Sequence, residues 1–394
     1  MFNLLLLPLL LAQALAPAAD ELNEGKNALT SHDYAKAAER FRAAVADAEE
    51  TGGQDILMLE ALRRLAAVSR LQDHPDEAEK ALMRAAPIAA RLHGDTSLEL
   101  ASLLSDLSGA KRALGKPMEA ILILESALRM RELQPAEQLV DFVNDLLSAA
   151  TLRIGMDETG AAKTLLDRAV ATCEKALPPE SPQCLSSLDA LAGLLRDQSE
   201  YSQAEPLYLR LLAIRQAVFG RDSADLISTL DSLAYVQFGL KRYAEAQPVY
   251  ERLLALWEAS AGPDHPMVAL TMDKMAEFFT AQERYSEAEP LVARAAAMRT
   301  KILIESLDRS GRIKTAESKL EEAADLYHRA VLIADESQLP EKAVDPLLRS
   351  YAKTLRSLDR GVEAEAIEQR IAAILSRRVE REGRREAPVA SEKP

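Results

Sequence analysis

The chain has 394 residues, 48% of them hydrophobic and 4% aromatic, with a formal net charge of −14 at pH 7. That length exceeds what one compact core holds and calls for several domains or an elongated array. An acid excess of this size is unsuited to a broad nucleic-acid face or to adhesion on anionic lipid, both of which need clustered Lys and Arg. Only 15 Gly are present, and no Val/Ile/Thr-rich alternation marks a sheet, so the expected fold is all-α.

At the amino end, residues 1–19 read as a targeting segment. Leu4 to Leu11 form an apolar run broken only by Pro8, and the small-residue stretch Ala12 to Ala19 follows. Ala14-Leu15-Ala16 and Ala16-Pro17-Ala18 both fit small-x-small cleavage. Cleavage after Ala18 is the better fit, because the other site leaves Pro17 immediately after the cut. No Lys or Arg precedes the run, so the amino terminus alone supplies its positive charge. The competing reading, an uncleaved anchor, is marginal at about 18 residues with an internal Pro. The expectation is export, to a periplasmic or secreted location, with no stable membrane span after signal removal. Failure of this segment as a signal would leave the protein cytoplasmic.

From residue 20 to 376 one phrase recurs. It reads YSQAEPLYLRLL from Tyr201, YAEAQPVYERLL from Tyr243 and YSEAEPLVARAA from Tyr285. A small residue in it serves as a ruler, at Ala37, Ala78, Ala120, Ala162, Ala204, Ala246, Ala288, Ala323 and Ala364, with gaps of 41, 42, 42, 42, 42, 42, 35 and 41. Twelve residues earlier stands another small group (Gly25, Ala66, Ser108, Ala150, Ala192, Ala234, Ala276, Gly311, Ala352). Sixteen earlier, a large apolar group repeats from Leu62 to Leu348. This period means stacked helical hairpins, none able to bury its apolar face alone. Small residues on facing arms let the axes approach, and large ones a turn away fill the space between hairpins. Ser202-x-x-Glu205 and Ser286-x-x-Glu289 read as capping boxes, with Pro206, Pro248 and Pro290 inside the first turn. Gly262-Pro263-Asp264-His265-Pro266 reads as a breaker between hairpins. The charged run 377–394 reads as a frayed helix that ends disordered.

The pattern resembles the tetratricopeptide repeat. The long period, the EAEPLY phrase and the Gly262-to-Pro266 loop look like the kinesin-light-chain variety, and the match is most specific over residues 184–300. The resemblance implies an α-solenoid of about nine helical hairpins forming a right-handed superhelix whose first helices line the concave side. The long heptad coiled coil of a kinesin light chain is absent, so the motor role does not carry over. Polar Glu368 stands where earlier repeats hold Phe41, Leu82, Tyr208 or Tyr250, as suits an end cap.

No motif for catalysis, cofactor or metal is present. The five histidines (His32, His74, His93, His265, His328) fall in different repeats, none paired at metal-ligand spacing, and no phosphate loop or nucleophile elbow occurs. Cys173 and Cys184 flank a loop segment. In an oxidising compartment they would clip two helices together; alternatively, Cys184 is a small core residue, because its repeat equivalents are Leu226 and Val268.

What remains is the inner face. If the family geometry carries over, the groove position three residues before the first small group holds Asp189, Asp231 and Asp273, with Tyr235 and Phe238 beside them. Toward the ends, Arg63, Arg64, Arg70, Arg112, Arg309, Arg312, Arg349 and Arg356 take corresponding places. The groove is then expected to be acidic with aromatic anchors at its middle and basic at both ends, suited to a protein or peptide partner. The expected function is a non-catalytic interaction scaffold. The alternative is a structural subunit of a larger envelope complex, held by contacts at the repeat ends.

Overall fold

The computed structural model describes residues 6–52, 55–134 and 138–386, with side chains for 17–52, 55–134, 138–341 and 343–377. The first five residues of the expected signal segment and the last eight residues of the tail lie outside that description. The described residues form 17 α-helices, one short 3-10 turn and no strand. The chain divides into two compact units, one of 1–221 with 235–241 and one of 222–234 with 242–394.

In the first unit the hairpins pair α1 (Leu6–Thr30) with α2 (Tyr34–Thr51), α3 (Asp55–Leu71) with α4 (Pro75–His93), and α5 (Leu98–Ala113) with α6 (Pro117–Glu132). Then come α7 (Leu139–Gly155) with α8 (Thr159–Ala176) and α9 (Pro182–Asp197) with α10 (Tyr201–Phe219). The division falls within α11 (Ile227–Gly239). The second unit continues through α12 (Tyr243–Ala261), α13 (Pro266–Thr280), α14 (Tyr285–Ala316), α15 (Leu320–Glu336), α16 (Glu341–Ser357) and α17 (Gly361–Glu386). Helices pack mainly on their chain neighbours, and first arms also touch the next first arms (α1 on α3, α5 on α7, α7 on α9, α14 on α16). That pattern is an α-solenoid.

The ruler alanines explain the hairpins. Ala37, Ala78, Ala120, Ala162, Ala204, Ala246, Ala323 and Ala364 are wholly buried, and Ala288 nearly so. Four residues on, Phe41, Leu82, Leu124, Leu166, Tyr208, Tyr250 and Tyr327 are buried as well. At two of the aromatic ones, Phe41 and Tyr327, the facing arm gives way. A Cβ on Gly25 would stand 2.5 Å from Phe41, and one on Gly311 2.6 Å from Tyr327.

Each hairpin turns on one residue in the left-handed region, five before the ruler. These are His32, Asp73, Gly115, Asp157, Ser199, Lys241, Glu283, Ser318 and Asp359, with φ between 58° and 70°. The next N–H donates to the carbonyl five residues back (His74 to Ser69 at 2.8 Å, Glu200 to Leu195 at 2.8 Å), the six-to-one bond of a Schellman close. That same residue then opens the second arm: the Glu200 carbonyl accepts from the Ala204 N–H at 3.1 Å.

Two sequence expectations are corrected here. Ser202 and Ser286 are not caps: α10 starts at Tyr201 after Glu200, and α14 at Tyr285 after Arg284, neither with a side-chain cap bond. The left-handed turn sets the helix start two residues earlier than the capping-box reading placed it. Pro206, Pro248 and Pro290 accordingly lie at the sixth helical residue, past the first turn. The breaker at Gly262 to Pro266 is a true one, separating α12 from α13 with Gly262 at φ 92°.

The 35-residue gap has a structural cause. The second arm of the seventh hairpin and the first arm of the eighth are one helix, the 32-residue α14. Seven residues fewer is about two helical turns, so the connecting loop disappears while the apolar stripe keeps its phase. At the carboxyl end α17 runs helical to Glu386, past the boundary expected at 376.

Two single substitutions test these constraints by urea or thermal denaturation. No atom crowds a Cβ at Gly115, so Gly115→Ala should cost about 1 kcal/mol through the backbone alone, and Glu283→Gly should gain a similar amount. Gly311→Ala should cost about 1–3 kcal/mol by overpacking against Tyr327.

Candidate inner-face site and its cross-links

The three aspartates of the expected ladder sit on first arms: Asp189 on α9, Asp231 on α11 and Asp273 on α13. All are 37–41% exposed at the side chain, so they reach solvent. None is bare. Arg215 on α10 holds Asp189 at 3.0 Å, Lys274 holds Asp231 at 2.5 Å, and Arg299 on α14 pairs with Asp273. Asp189 and the two aromatics belong to the first unit and the other two aspartates to the second. Tyr235 is 50% exposed with its ring edge-on to Tyr201 at 6.0 Å, and Phe238 is half-buried. Each carboxylate expected to be bare is therefore clasped by a cation, and of the two aromatics Tyr235 is the well-exposed one.

The basic ends are largely clasped too. Arg64 pairs with Glu60, Arg70 with Asp106, Arg312 with Asp308, Arg349 with Asp345 and Arg356 with Glu368. The last of these places Glu368, expected as a polar end cap, on the side chain of Arg356.

The cations of the ladder reveal a repeat position that sequence reading passed over. Eleven residues after the ruler, five consecutive repeats carry Arg131, Cys173, Arg215, Trp257 and Arg299. Each makes a different link. Arg215 and Arg299 reach back 26 residues to the aspartate of their own hairpin. Trp257 occupies the place from which Asp231 would be held, and it stacks on His265 at 5.6 Å with ring planes 8° apart. His265 Nδ1 meanwhile accepts from the Met267 N–H at 3.2 Å, capping α13.

Arg131 reaches forward. It is 3% exposed, its Nε donates to Asp145 at 2.8 Å, and its other nitrogens meet Ser102 at 3.2 Å and Gln138. Ser105 also donates to Asp145 at 2.8 Å. Burial pushes the Asp145 carboxyl above its usual range, against the downward pull of the Ser105 and Arg131 bonds.

Cys173 is joined to Cys184 in a disulfide with Cα atoms 5.4 Å apart, tying the end of α8 to the start of α9. Both cysteines are buried, so the bridge and the small-core-residue reading of Cys184 describe the same atoms.

Second arms are stapled to one another by ion pairs. Six residues after the ruler stands an arginine in seven repeats (Arg84, Arg168, Arg210, Arg252, Arg294, Arg329, Arg370). Five of them pair with the acid twelve after the preceding ruler: Glu49, Glu132, Glu174, Glu258 and Asp335. The ruler carried this signal in plain view.

Models of the tetratricopeptide repeat match residues 57–132 and 225–301, and a second such model matches 184–225. The chain is a tetratricopeptide-repeat protein. No curated protein matches it in sequence. Among solved structures it is similar to a kinesin-light-chain-type protein of Podosopora anserina with nearly identical TPR-like repeats, 20% identical over 51% of this chain and 96% of that one, with a TM-score of 0.45. It is similar also to apo RapI (15% identical, 77% and 99% covered, TM-score 0.48) and to a tetratricopeptide-repeat protein of Parabacteroides merdae (16%, 85% and 98%, 0.43). Overlaps this loose say nothing of partner or role.

In this tetratricopeptide-repeat protein the buried and exposed links should separate cleanly by denaturation. Asp145→Ala should cost about 3 kcal/mol by taking the nearer carboxylate from the buried Arg131, which keeps Asp141 at 3.5 Å, whereas Asp273→Ala should change stability by less than about 1 kcal/mol. Cys184→Ala should lose about 3 kcal/mol, and dithiothreitol should bring the wild type down to meet it while leaving the variant unmoved.

Proposed function

We propose that this protein is an exported, non-catalytic scaffold that binds a protein or peptide partner on the exposed faces of its hairpin stack. The carrying observation is the repeat itself. Hairpins that bury their apolar faces on neighbours present their other faces as repeated helical surface, and such surfaces act by recognition. Tyr235, half exposed, supplies the aromatic anchor expected of an inner-face site. A partner there meets neutralised ion pairs rather than free carboxylates, so binding should depend only weakly on salt.

Export is supported by the apolar and small-residue run at the amino end and by the Cys173–Cys184 bridge, a bond at home in oxidising compartments. Removal of residues 1–18 leaves Leu22, Gly25 and Ala28 of α1 in place against α2. The second reading, a structural subunit held by its repeat ends, gains from one observation: all three ladder carboxylates already have a cation.

A crosslinking pull-down from the native host separates the two. It compares wild type with an Asp231→Lys, Tyr235→Ala, Phe238→Ala variant of unchanged helicity and with a truncation after Thr300. Loss in the triple variant with retention in the truncation supports inner-face binding; the reverse supports the end-held subunit. Intact mass of the exported protein should give Ala19 as its first residue, and a full-length chain confined to the cytoplasm would remove export from the reading.

A further inference from the structure

The fourth hairpin carries a defect in an otherwise regular packing lattice. Ten residues after the ruler, seven of the nine repeats place a large apolar side chain: Ile88, Met130, Ile214, Leu256, Met298, Ile333 and Ile374. The fourth repeat has Thr172 there. Its hydroxyl is turned back to the Arg168 carbonyl at 2.9 Å, within its own helix. Truncating a large group in a packed layer leaves space that neighbours only partly refill. The space is present: a cleft of about 280 Å³ lined by Arg131, Glu132, Leu139, Phe142, Thr172, Lys175 and Ala176, all within the first unit.

The cleft is more than a void. Its aromatic wall, Phe142, is half-buried, while the equivalent Leu226 and Val268 are wholly buried. Leu139 stands where other repeats have the helix-capping Ser97, Ser181, Ser223 and His265, so a polar rim position has become apolar. Cations surround this apolar interior. The Arg168 guanidinium lies 5.8 Å from the Phe142 ring centre, the buried Arg131 forms part of the wall, and exposed Lys175 stands at the rim with no ion pair among the described residues. Glu132, the acid in the lining, is taken by Arg168. In a chain of net charge −14, an apolar cleft whose unpaired rim charge is positive stands out.

We infer that this cleft, at the hairpin ends between α6, α7 and α8, is an anchor site for a large apolar side chain of a partner peptide, with an adjacent carboxylate of that peptide held by Lys175. The inference rests on the scaffold reading but not on the inner-face patch. Desolvation of the anchor against Phe142 and Leu139 supplies the attraction, and the Lys175 ammonium selects an acidic neighbour.

The test uses the full chain and the probe N-acetyl-phenylalanine, titrated by saturation-transfer NMR beside its neutral amide. Wild type should bind the carboxylate saturably and the amide several-fold more weakly. Thr172→Met and Thr172→Leu restore the side chains of neighbouring repeats, so they should fold with equal or higher melting temperature and lose about tenfold or more in affinity, a change of about 1.4 kcal/mol. Lys175→Glu should abolish the preference for the carboxylate while leaving amide binding in place. The inner-face triple variant should bind the probe as wild type does. Absence of saturable binding, or binding unchanged in both refilled variants, overturns the inference. A partner captured in the pull-down despite either result leaves the scaffold reading standing and the cleft without a role.

Discussion

Everything in this fold depends on how closely two helical arms approach at one alanine per hairpin. A methyl is the largest group that fits where Ala37, Ala78, Ala120 and their equivalents are wholly buried. Fixing that distance fixes the spacing of the layers, since interior packing tolerates little change in volume. The arms can then compensate locally: Gly25 yields to Phe41 and Gly311 to Tyr327, whereas Ala192 and Ala234 stand across from Tyr208 and Tyr250 without such a retreat. Because the hairpin geometry is constant, any chosen offset from the ruler faces the same kind of neighbour in each repeat. That constancy lets individual positions vary in chemistry while the backbone stays put.

The features legible in the sequence were those that the period enforces. The ruler, the facing small residues and the Gly262-to-Pro266 breaker recur because sterics admit few residue types there. The hairpin turns were not legible for the opposite reason. Their left-handed residue is His32, Asp73, Lys241 or Glu283 as readily as Gly115, because the six-to-one hydrogen bond and the packed arms hold the conformation against its modest cost. Without a Gly signal, Ser202 and Ser286 looked like caps. The 35-residue spacing was visible as a number, but only the structure shows that a lost loop, rather than a shortened arm, lets α14 run through.

The candidate site was legible in position and misjudged in charge. Counting back from the small residues located Asp189, Asp231 and Asp273 on successive first arms, yet their cations lie 26 or 43 residues away in sequence. Surface ion pairs of this sort contribute little to stability, commonly under about 1 kcal/mol. Their effect is on recognition: they cancel the field that an acidic ladder would project and leave shape and aromatic area to discriminate partners. The staples from Arg84 to Arg370 act alike between second arms, each cancelling an acid of the preceding repeat.

The fourth hairpin shows what happens when the lattice is broken at adjacent positions. Thr172 removes the apolar contact that other repeats make ten residues after the ruler, and Leu139 removes the polar cap of the facing helix. At the next residue, Cys173 substitutes a covalent tie to α9 for the arginine clasp used by the third, fifth and seventh repeats. A helix end that has lost packing on one side frays unless something else restrains it. The disulfide restrains the turn that the missing side chain would otherwise have anchored, while the buried Arg131–Asp145 pair fixes the neighbouring wall. An open cleft can persist there because its two flanks are held by links stronger than packing alone, which separates a maintained cavity from a loosely filled core.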